Sequence, residues 1–379
     1  MKPFKYIDIK KILLILLTSF LSICSFGQKL FPFELKGKWG YLNTEGNIVI
    51  KATYDYVDGF NKGYAVVAFH MLPCLIDIHE KRVIDTGAYQ YISKYSEGLC
   101  SATDYKKQKL YLNNKGEKII SLPKDIYEAR PFHNGLAVVS RKTDEVEKKF
   151  GVDISNLAYR FAFMNKKGEY LSDFIYEDAD DMTEEVTRVR FKNKFGLFGK
   201  EGKEILKPVY ESISPFNEGL AVIKDNNAYG YINNKGEVII KPEFDYCTVF
   251  NEGLAAVVVK GEYGFIDRSG KIIIEAKYDE VKPFGEGMAA VRVGKKWGFI
   301  NAKGETLMPP YYDNAAYFNE GLCPVMFKNK WGAINKEGKL ILALEFDDIG
   351  IFEDGIAEVV YHNINLYADT KGNILPRLK

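Results

Sequence analysis

The segment that decides the fold of this chain reads Gly253-Leu-Ala-Ala-Val-Val-Val-Lys260, then Tyr263-Gly-Phe-Ile-Asp267, then Lys271-Ile-Ile-Ile274. Each apolar stretch is short and rich in β-branched or aromatic residues, and polar residues or glycine bound it, as is typical of β-strands. A glycine lies between the second and third stretches, where a hairpin turn needs a positive φ. We therefore predict an antiparallel meander of three strands, with a short fourth strand around residues 278–281.

This segment recurs along the chain with a period of 34 residues, since Gly253 and Gly287 begin successive copies. A fixed period of this size indicates a propeller, a solenoid or another array of stacked units. Three glycine columns in one period predict three chain reversals in each unit. The columns are Gly196, Gly230, Gly264, Gly298 and Gly332; Gly202, Gly236, Gly270, Gly304, Gly338 and Gly372; and Gly219, Gly253, Gly287, Gly321 and Gly355.

The copies fill the chain from residue 28 to residue 379 as nine full units and a partial C-terminal one. Unit two carries Pro73-Cys74 where an aromatic residue and glycine are expected, unit four is irregular at residues 181–185, and an insertion lies near residues 141–158. We expect any localised function at these irregular places, because insertions on an array decorate one face. The turn glycines or their equivalents are Gly46, His79, Gly116, Gly168, Gly202, Gly236, Gly270, Gly304, Gly338 and Gly372.

The fold class predicted from these units is all-β. After residue 27, no ten-residue window holds a helical apolar stripe free of glycine and proline. The array either closes into a propeller-like toroid or stays open as a curved β-array, and both alternatives remain at this point.

Three aromatic columns recur in the copies, which favours packing between neighbouring units over the recognition of one ligand. The first column changes its ring type, the second is phenylalanine throughout, and each member of the third is followed by Asp or Glu. The columns are Trp39, Phe161, Phe195, Tyr229, Tyr263, Trp297 and Trp331; Phe60, Phe132, Phe216, Phe250, Phe284, Phe318 and Phe352; and Tyr54, Tyr210, Phe244, Tyr278, Tyr312 and Phe346.

The N-terminus has the order of a secretory signal peptide: lysines, an apolar run over residues 12–23, and small residues at the expected cleavage positions. We predict a signal peptide over residues 1–27, with Gln28 as the first residue of an exported protein in the periplasm, outside the cell or at its surface. A lipoprotein acylated at Cys24 is the alternative. The net charge of +1, with no basic stripe, argues against nucleic-acid binding.

The sequence supplies no catalytic, cofactor-binding or metal-binding set. The four histidines are scattered, and there is no HExxH, GxSxG or P-loop motif. The dense carboxylate stretch over residues 177–185 makes calcium conceivable, but a solvated acidic edge is favoured. Cys100 and Cys323 share a column in which other units carry alanine, which indicates small buried residues. A Cys74–Cys100 disulfide is the alternative, because disulfides can form in an exported protein.

Three stretches, Lys38-Trp39-Gly40-Tyr41-Leu42-Asn43, Lys296-Trp297-Gly298-Phe299-Ile300-Asn301 and Lys330-Trp331-Gly332-Ala333-Ile334-Asn335, resemble the WG (KWG) repeat family of bacterial proteins. The resemblance covers about residues 30–375. It implies a repeat protein of binding or scaffolding type, and it brings no catalytic residues.

We expect a non-enzymatic, exported repeat protein that acts as a protein-binding or scaffolding module at the cell envelope. A glycan-binding module is the first alternative, with Tyr89, Tyr91, Tyr95 and Tyr127 as candidate contacts. An envelope-associated hydrolase with a site in irregular repeats two to four is the second. It would require His133 to lie beside Asp153 or Asp180.

Overall fold

A computed structural model describes residues 29–43, 47–143, 147–149, 152–154, 158–183 and 185–375. This part of the chain is all-β and contains no α-helix, which confirms the predicted fold class. It divides into two compact units. One covers residues up to 107 together with 111–119, and the other covers residues 108–110 and 120 onward.

The strands form ten small antiparallel sheets and one separate hairpin within the described residues. The first five sheets comprise β1 (Phe31–Leu35), β2 (Lys38–Leu42) and β3 (Ile48–Tyr54); β4 (Tyr56–Val57), β5 (Tyr64–Phe69), β6 (Leu72–Asp77) and β7 (Arg82–Ile84); β8 (Tyr91–Ile92), β9 (Leu99–Thr103), β10 (Lys109–Asn113) and β11 (Lys118–Ser121); β12 (Ile126–Ala129), β13 (Leu136–Thr143) and β16 (Ala158–Asn165), with the hairpin β14 (Glu147–Lys149) and β15 (Val152–Ile154) inserted; and β17 (Asp178–Ala179), β18 (Val186–Phe191), β19 (Lys194–Gly199) and β20 (Glu204–Tyr210).

The remaining sheets are regular and have four strands each. They comprise β21 (Ser212–Ile213), β22 (Leu220–Asp225), β23 (Ala228–Asn233) and β24 (Val238–Phe244); β25 (Tyr246–Cys247), β26 (Leu254–Val259), β27 (Glu262–Asp267) and β28 (Ile272–Tyr278); β29 (Glu280–Val281), β30 (Met288–Val293), β31 (Lys296–Asn301) and β32 (Thr306–Tyr312); β33 (Asn314–Ala315), β34 (Leu322–Phe327), β35 (Lys330–Asn335) and β36 (Leu340–Phe346); and β37 (Asp348–Ile349), β38 (Ile356–Tyr361), β39 (Ile364–Asp369) and β40 (Ile374–Leu375).

Each regular sheet has the same order, which we name the short strand, strand a, strand b and strand c. The short strand expected around residues 278–281 is β29, and it pairs with β30 of the following sheet. The chain therefore crosses from one sheet to the next at Asp279, between β28 and β29. Every short strand thus completes the sheet that follows it, not the meander that precedes it.

One of the three predicted reversals is wrong, because the glycine after the first aromatic column lies inside strand b. Opposite Gly264, strand c bulges: Tyr263 faces Tyr278 and Phe265 faces Ile274, which leaves extra residues of strand c between them. A Cβ on Gly264 would lie 2.5 Å from the Ile274 carbonyl oxygen. This glycine is therefore required by the close approach of another backbone, which is a recognised use of glycine in strands.

The other two glycine columns are chain reversals, as predicted. Gly270 has φ +88° in the hairpin between strands b and c. Glu252 and Gly253 both have positive φ, at 53° and 76°, in the two-residue turn between the short strand and strand a. Positive φ at both central residues is the geometry of a type I′ hairpin, which matches the twist of the flanking strands.

The side chains of the phenylalanine column pack between successive sheets. Phe250 follows the short strand of one sheet, and its ring centroid lies 4.8 Å from that of Tyr231 in strand b of the preceding sheet. Phe284 and Phe318 repeat this contact with Phe265 at 4.9 Å and with Phe299 at 5.3 Å. The buried cluster around Phe250 draws residues from both sheets. The hydrophobic core of these regular sheets therefore lies between neighbouring sheets.

We predict that Gly264→Ala will destabilise the protein by about 1–3 kcal/mol or more, because the added methyl group overlaps the bulged backbone. Gly59→Ala is the matched control, since a Cβ there meets nothing within 4 Å. Urea unfolding followed by circular dichroism measures both variants. Equal midpoints for the two variants would contradict the close-approach explanation.

Candidate functional site

Glutamates at the type I′ turns of the regular repeats form a ladder from one repeat to the next. The Glu252 carboxylate accepts the N–H groups of Glu286 at 2.6 Å and Gly287 at 2.8 Å in the following turn. Glu286 in turn accepts the Gly321 N–H at 3.0 Å. Each glutamate is held in the left-handed region and caps the next turn, so these repeating carboxylates serve the fold. The other two steps are Gly253 N–H to Glu218 at 3.1 Å and Gly355 N–H to Glu320 at 2.8 Å.

Glu286 also has a basic partner, because Lys336 Nζ lies 2.9 Å from its carboxylate. Burial by itself would raise the pKa of Glu286. The Lys336 ammonium and the turn N–H groups outweigh that effect and hold the pKa below its usual value. Glu286 is therefore ionised at neutral pH, and an ionised carboxylate is a strong acceptor for backbone N–H groups.

Aspartates at the crossovers form a second set of links between successive sheets, at the opposite end of the strands from the glutamate ladder. Asp313 lies between the eighth and ninth sheets and accepts from Lys296 Nζ at 2.5 Å and from the Lys328 N–H at 2.7 Å. Lys296 belongs to the strand b that precedes the crossover, and Lys328 lies in the a–b turn that follows it. Hydrogen bonding by Lys296 lowers the pKa of Asp313. Asp347 repeats the pattern with Lys330 at 2.7 Å.

The fourth sheet breaks this second set. Five residues before the phenylalanine column, where Asp313 precedes Phe318, the fourth sheet has Tyr127 before Phe132. The a–b turn that an aspartate would cap is replaced by the predicted insertion, through which β13 and β16 extend to eight residues each. The inserted hairpin of β14 and β15 follows beyond them. At the position where other sheets carry an aspartate that links two sheets, the fourth sheet thus carries a tyrosine. This tyrosine lies at the base of the extended strands.

Tyr127, Tyr159 and Lys142 form a surface cluster that we call the tyrosine platform. The ring centroids of Tyr127 and Tyr159 lie 4.4 Å apart at an interplanar angle of 36°. Lys142 pairs with Tyr159 across β13 and β16, and its ammonium lies 5.0 Å from the Tyr127 centroid. Tyr127 is 48% exposed. The hydrogen bond with Tyr127 raises the pKa of the Tyr159 hydroxyl.

A neighbouring cluster of charged and aromatic side chains packs at the base of the extended strands β13 and β16. Arg141 Nε lies 2.9 Å from an oxygen of Asp125. The Arg141 guanidinium also lies 4.1 Å from the Phe174 centroid and 5.7 Å from that of Tyr170. Arginine in this arrangement combines an ion pair with stacking on aromatic faces. Arg141 is thereby held at the base of the extension.

The acidic stretch of residues 177–185 does not form an open carboxylate site in its described residues. Asp180 pairs with Arg188 at 2.5 Å, and Glu185 pairs with Lys200 at 2.7 Å. Glu177 accepts the Lys192 N–H at 2.9 Å. In the part of the chain that the structure describes, no group of three or more His, Cys, Asp or Glu side chains could hold a metal ion. Glu184 lies outside the described residues.

The hydrolase candidates are not brought together. His133 lies in the turn before β13, at the end of that strand opposite to the extension. Its nearest carboxylate is Asp181, at 3.6 Å, while Asp180 is engaged by Arg188. Asp153 lies on β15, and its side chain is outside the described part of the chain.

The four tyrosine candidates have different environments. Tyr91 is 57% exposed and Tyr127 is 48% exposed, but Tyr95 is only 4% exposed and packs on Tyr64 at 5.1 Å. Tyr95 is therefore a core residue, and burial raises its pKa to about 12. Its place in the sequence could have shown this, because Tyr95 occupies the phenylalanine column in the third sheet. Tyr89 is half-buried.

The cysteines after residue 27 are buried and free. Cys100 and Cys323 are fully buried in the alanine column, as expected for small core residues. Cys74 and Cys100 do not form a disulfide. Burial raises the pKa of Cys100 and Cys247 to about 12. The thiolate is the reactive form, so these groups are inert at neutral pH.

Comparison with known families identifies the class of protein. The WG containing repeat matches seven stretches that together cover more than half of the chain, so the chain belongs to the WG repeat family. The third sheet lies wholly outside these matches and has the same strand order. The matched stretches are residues 39–68, 161–195, 195–227, 229–263, 263–297, 297–331 and 331–363.

Three solved structures are distantly similar to this chain. A eukaryotic initiation factor is 10% identical, with a TM-score of 0.47 and coverage of 93% of this chain and 95% of that one. The extracellular domain of a hybrid two-component system from B. thetaiotaomicron is 10% identical (TM-score 0.28; 92% and 63% covered). PorZ, a surface component of the type-IX secretion system of Porphyromonas gingivalis, is 10% identical (TM-score 0.29; 85% and 54% covered). These similarities assign no function to this chain.

No curated protein matches the sequence. Among the described residues, no helix has the length and apolar character needed to cross a membrane.

We predict that Glu286→Gln will lower the free energy of unfolding by about 1 kcal/mol at pH 7, since it removes a partly exposed charge that accepts hydrogen bonds. The lowered pKa means that the charge stabilises the fold above the unfolded-state value of about 4.3, and that this stabilisation is lost as the pH falls further. The difference between wild type and variant should therefore disappear in acid.

Urea unfolding at pH 7 and at about pH 3.5 tests this pH dependence. Glu337→Gln, at an exposed glutamate in a b–c turn, is the control and should have little effect at either pH. A deficit of Glu286→Gln that is the same at both pH values would contradict a role for the charge.

Proposed function

We propose that this WG repeat protein is an exported, non-enzymatic module that binds or scaffolds another protein at the cell envelope, and that the tyrosine platform is its recognition site. The observation that carries the proposal is the replacement of a crossover aspartate by Tyr127, next to an extension found in the fourth sheet. In the regular repeats the equivalent residues are engaged in holding sheets together. In the fourth sheet, Tyr127 does not link two sheets in this way, and its side chain is exposed.

The chemistry of the platform suits a protein partner. Tyrosine offers a large apolar ring with a polar tip and few rotatable bonds, so it contributes contact area at low entropic cost. Lys142 adds a positive charge beside the two rings and favours a partner with a carboxylate near an apolar group. Tyrosine is enriched among the residues that dominate binding energy at protein interfaces.

A glycan is the second candidate ligand, favoured by the exposure of Tyr91 in the third sheet and of Tyr56, whose hydroxyl donates to Asp58 at 2.6 Å. A flat aromatic face next to a carboxylate can bind a sugar ring. This site would involve the short strands β4 and β8 and would leave the platform unused.

We predict that Tyr127→Ala will lower recovery of the partner at least tenfold when the exported protein is used as bait against the envelope fraction of the producing cell. Such a loss corresponds to about 1.4 kcal/mol, which is typical of a truncated hot-spot aromatic residue. Quantitative mass spectrometry of the captured proteins gives the measurement.

Tyr246→Ala is the matched control, because Tyr246 is 44% exposed and pairs with Tyr229 at 5.6 Å in a regular repeat. It should leave recovery unchanged. Equal capture by both variants would remove the platform as the site. Capture of polysaccharide that is lost with Tyr91→Ala would instead support the glycan candidate.

Export supplies a separate prediction. N-terminal sequencing of the protein from its own cell should begin at Gln28, because the small residues Ser25 and Gly27 suit signal peptidase. A protein that begins at an acylated Cys24 would show anchoring as a lipoprotein. Retention of residues 1–27 in the mature protein would contradict export by this route.

A further inference from the structure

Among the described residues, the first sheet has no counterpart of the short strand that begins every later sheet. Among the described residues, β1 pairs with β2 alone, and its other edge has no partner strand. In the nine later sheets the equivalent edge of strand a pairs with a short strand, and a sheet edge without a partner presents backbone N–H and C=O groups for pairing with another chain.

The equivalent carbonyl groups in the later sheets all accept a backbone hydrogen bond. The third residue of strand a, or its counterpart, accepts an N–H from the chain just after the short strand in all nine sheets, at 2.8–3.1 Å. Register with strand b places Pro32 at this position in the first sheet, since Pro32 faces Tyr41 as Ala256 faces Phe265. Glu34 lies two residues further and directs its backbone to the same side, as alternate residues of an antiparallel strand do.

Pro32 does not prevent pairing at this edge, although proline often protects edge strands. The ninth sheet has Pro324 at the equivalent position, and the Ala316 N–H still donates to its carbonyl at 2.9 Å. The interaction at this position uses the carbonyl oxygen, which proline retains. The N–H that an incoming strand would need is that of Glu34.

Side chains at the free edge are apolar and exposed. Phe31 occupies the alanine column, whose members are at most 2% exposed in the nine later sheets, yet Phe31 is 37% exposed and Leu35 is 38% exposed. Phe33, between them, is half-buried. The edge thus combines unpaired backbone groups with aromatic surface, which is the combination that strand addition uses for affinity and specificity.

We propose that the free edge of β1 binds an extended segment of a partner protein, in which an aliphatic residue is followed three positions later by phenylalanine. The chain itself supplies this pattern at the equivalent edge of later sheets, for example Ile213 with Phe216, Val281 with Phe284, and Ile349 with Phe352. The incoming strand would pair with Pro32 and Glu34 and cover Phe31 and Phe33. This site is separate from the tyrosine platform, and each site can fail without the other.

The probe is a fluorescent peptide with the sequence of residues 346–354, which contains Ile349 and Phe352. Fluorescence anisotropy measures its binding to the exported protein. A peptide of equal charge with serine in place of Ile349 and Phe352 is the control, and it should bind at least tenfold more weakly. Equal binding of the two peptides would overturn the proposal, because only charge would then be recognised.

Two substitutions in β1 locate the binding. Glu34→Pro removes the N–H at the free edge and should weaken peptide binding at least tenfold, whereas Glu34→Gln keeps that N–H and should bind within about twofold of wild type, since a loss of 1.4 kcal/mol is a factor of ten. Thermal unfolding establishes that both variants are folded. Unchanged binding by Glu34→Pro would contradict pairing at this edge.

Hydrogen exchange of the wild-type protein gives a readout that needs no substitution. Addition of the peptide should slow exchange of the Glu34 amide and leave the amides of the platform strands β13 and β16 unchanged. Unchanged exchange at Glu34 under saturating peptide would overturn the proposal, and protection confined to β13 and β16 would assign the peptide to the platform.

Discussion

A sheet of two six-residue strands, one seven-residue strand and one two-residue strand cannot bury its own apolar faces, and this constraint governs the structure. The phenylalanine column answers it: Phe250, Phe284 and Phe318 each follow a short strand and pack on an aromatic residue of the preceding sheet. The short strand pairs with one sheet while its phenylalanine contacts another, so the chain joins two sheets within a few residues. Stability in such an array is a sum of unit terms and neighbour interfaces, and here the interfaces contain the core.

The polar groups follow the same logic. Glutamate in the left-handed region costs roughly 1–2 kcal/mol, yet Glu218, Glu252, Glu286 and Glu320 all adopt it. Their carboxylates accept N–H groups from the next turn, and charge-assisted hydrogen bonds can offset that cost. At the other end of the strands, aspartates join a lysine of one sheet to a turn of the next. The regular repeats therefore have few polar groups left over for a ligand, and a site must arise where a repeat departs from the pattern.

The sequence predicted the fold class, the period, the hairpin glycines and the packing role of the aromatic columns, because these depend on local turn chemistry and on alternation of apolar residues. It did not predict the role of Gly264, because a strand interior and a turn both select glycine and only the bulge of strand c separates them. The prediction of Tyr95 as an exposed contact is wrong, because Tyr95 lies in the phenylalanine column and is buried. The tyrosine platform was only partly predictable: Tyr127 was singled out, but its pairing with Tyr159 depends on how β13 and β16 extend across the insertion.

Both proposed sites are positions where an interaction that other sheets satisfy internally has lost its partner. At Tyr127 the turn that an aspartate would cap has been replaced by an extension, and at β1 the described part of the chain supplies no short strand. In an array whose units are held by identical contacts, a ligand site that recurred in every unit would compete with those contacts and weaken each interface. A ligand site at a single irregular repeat removes at most one of the contacts that hold neighbouring units together. This is a physical reason why the regular sixth to tenth sheets are expected to serve as scaffold and the irregular early sheets to carry recognition.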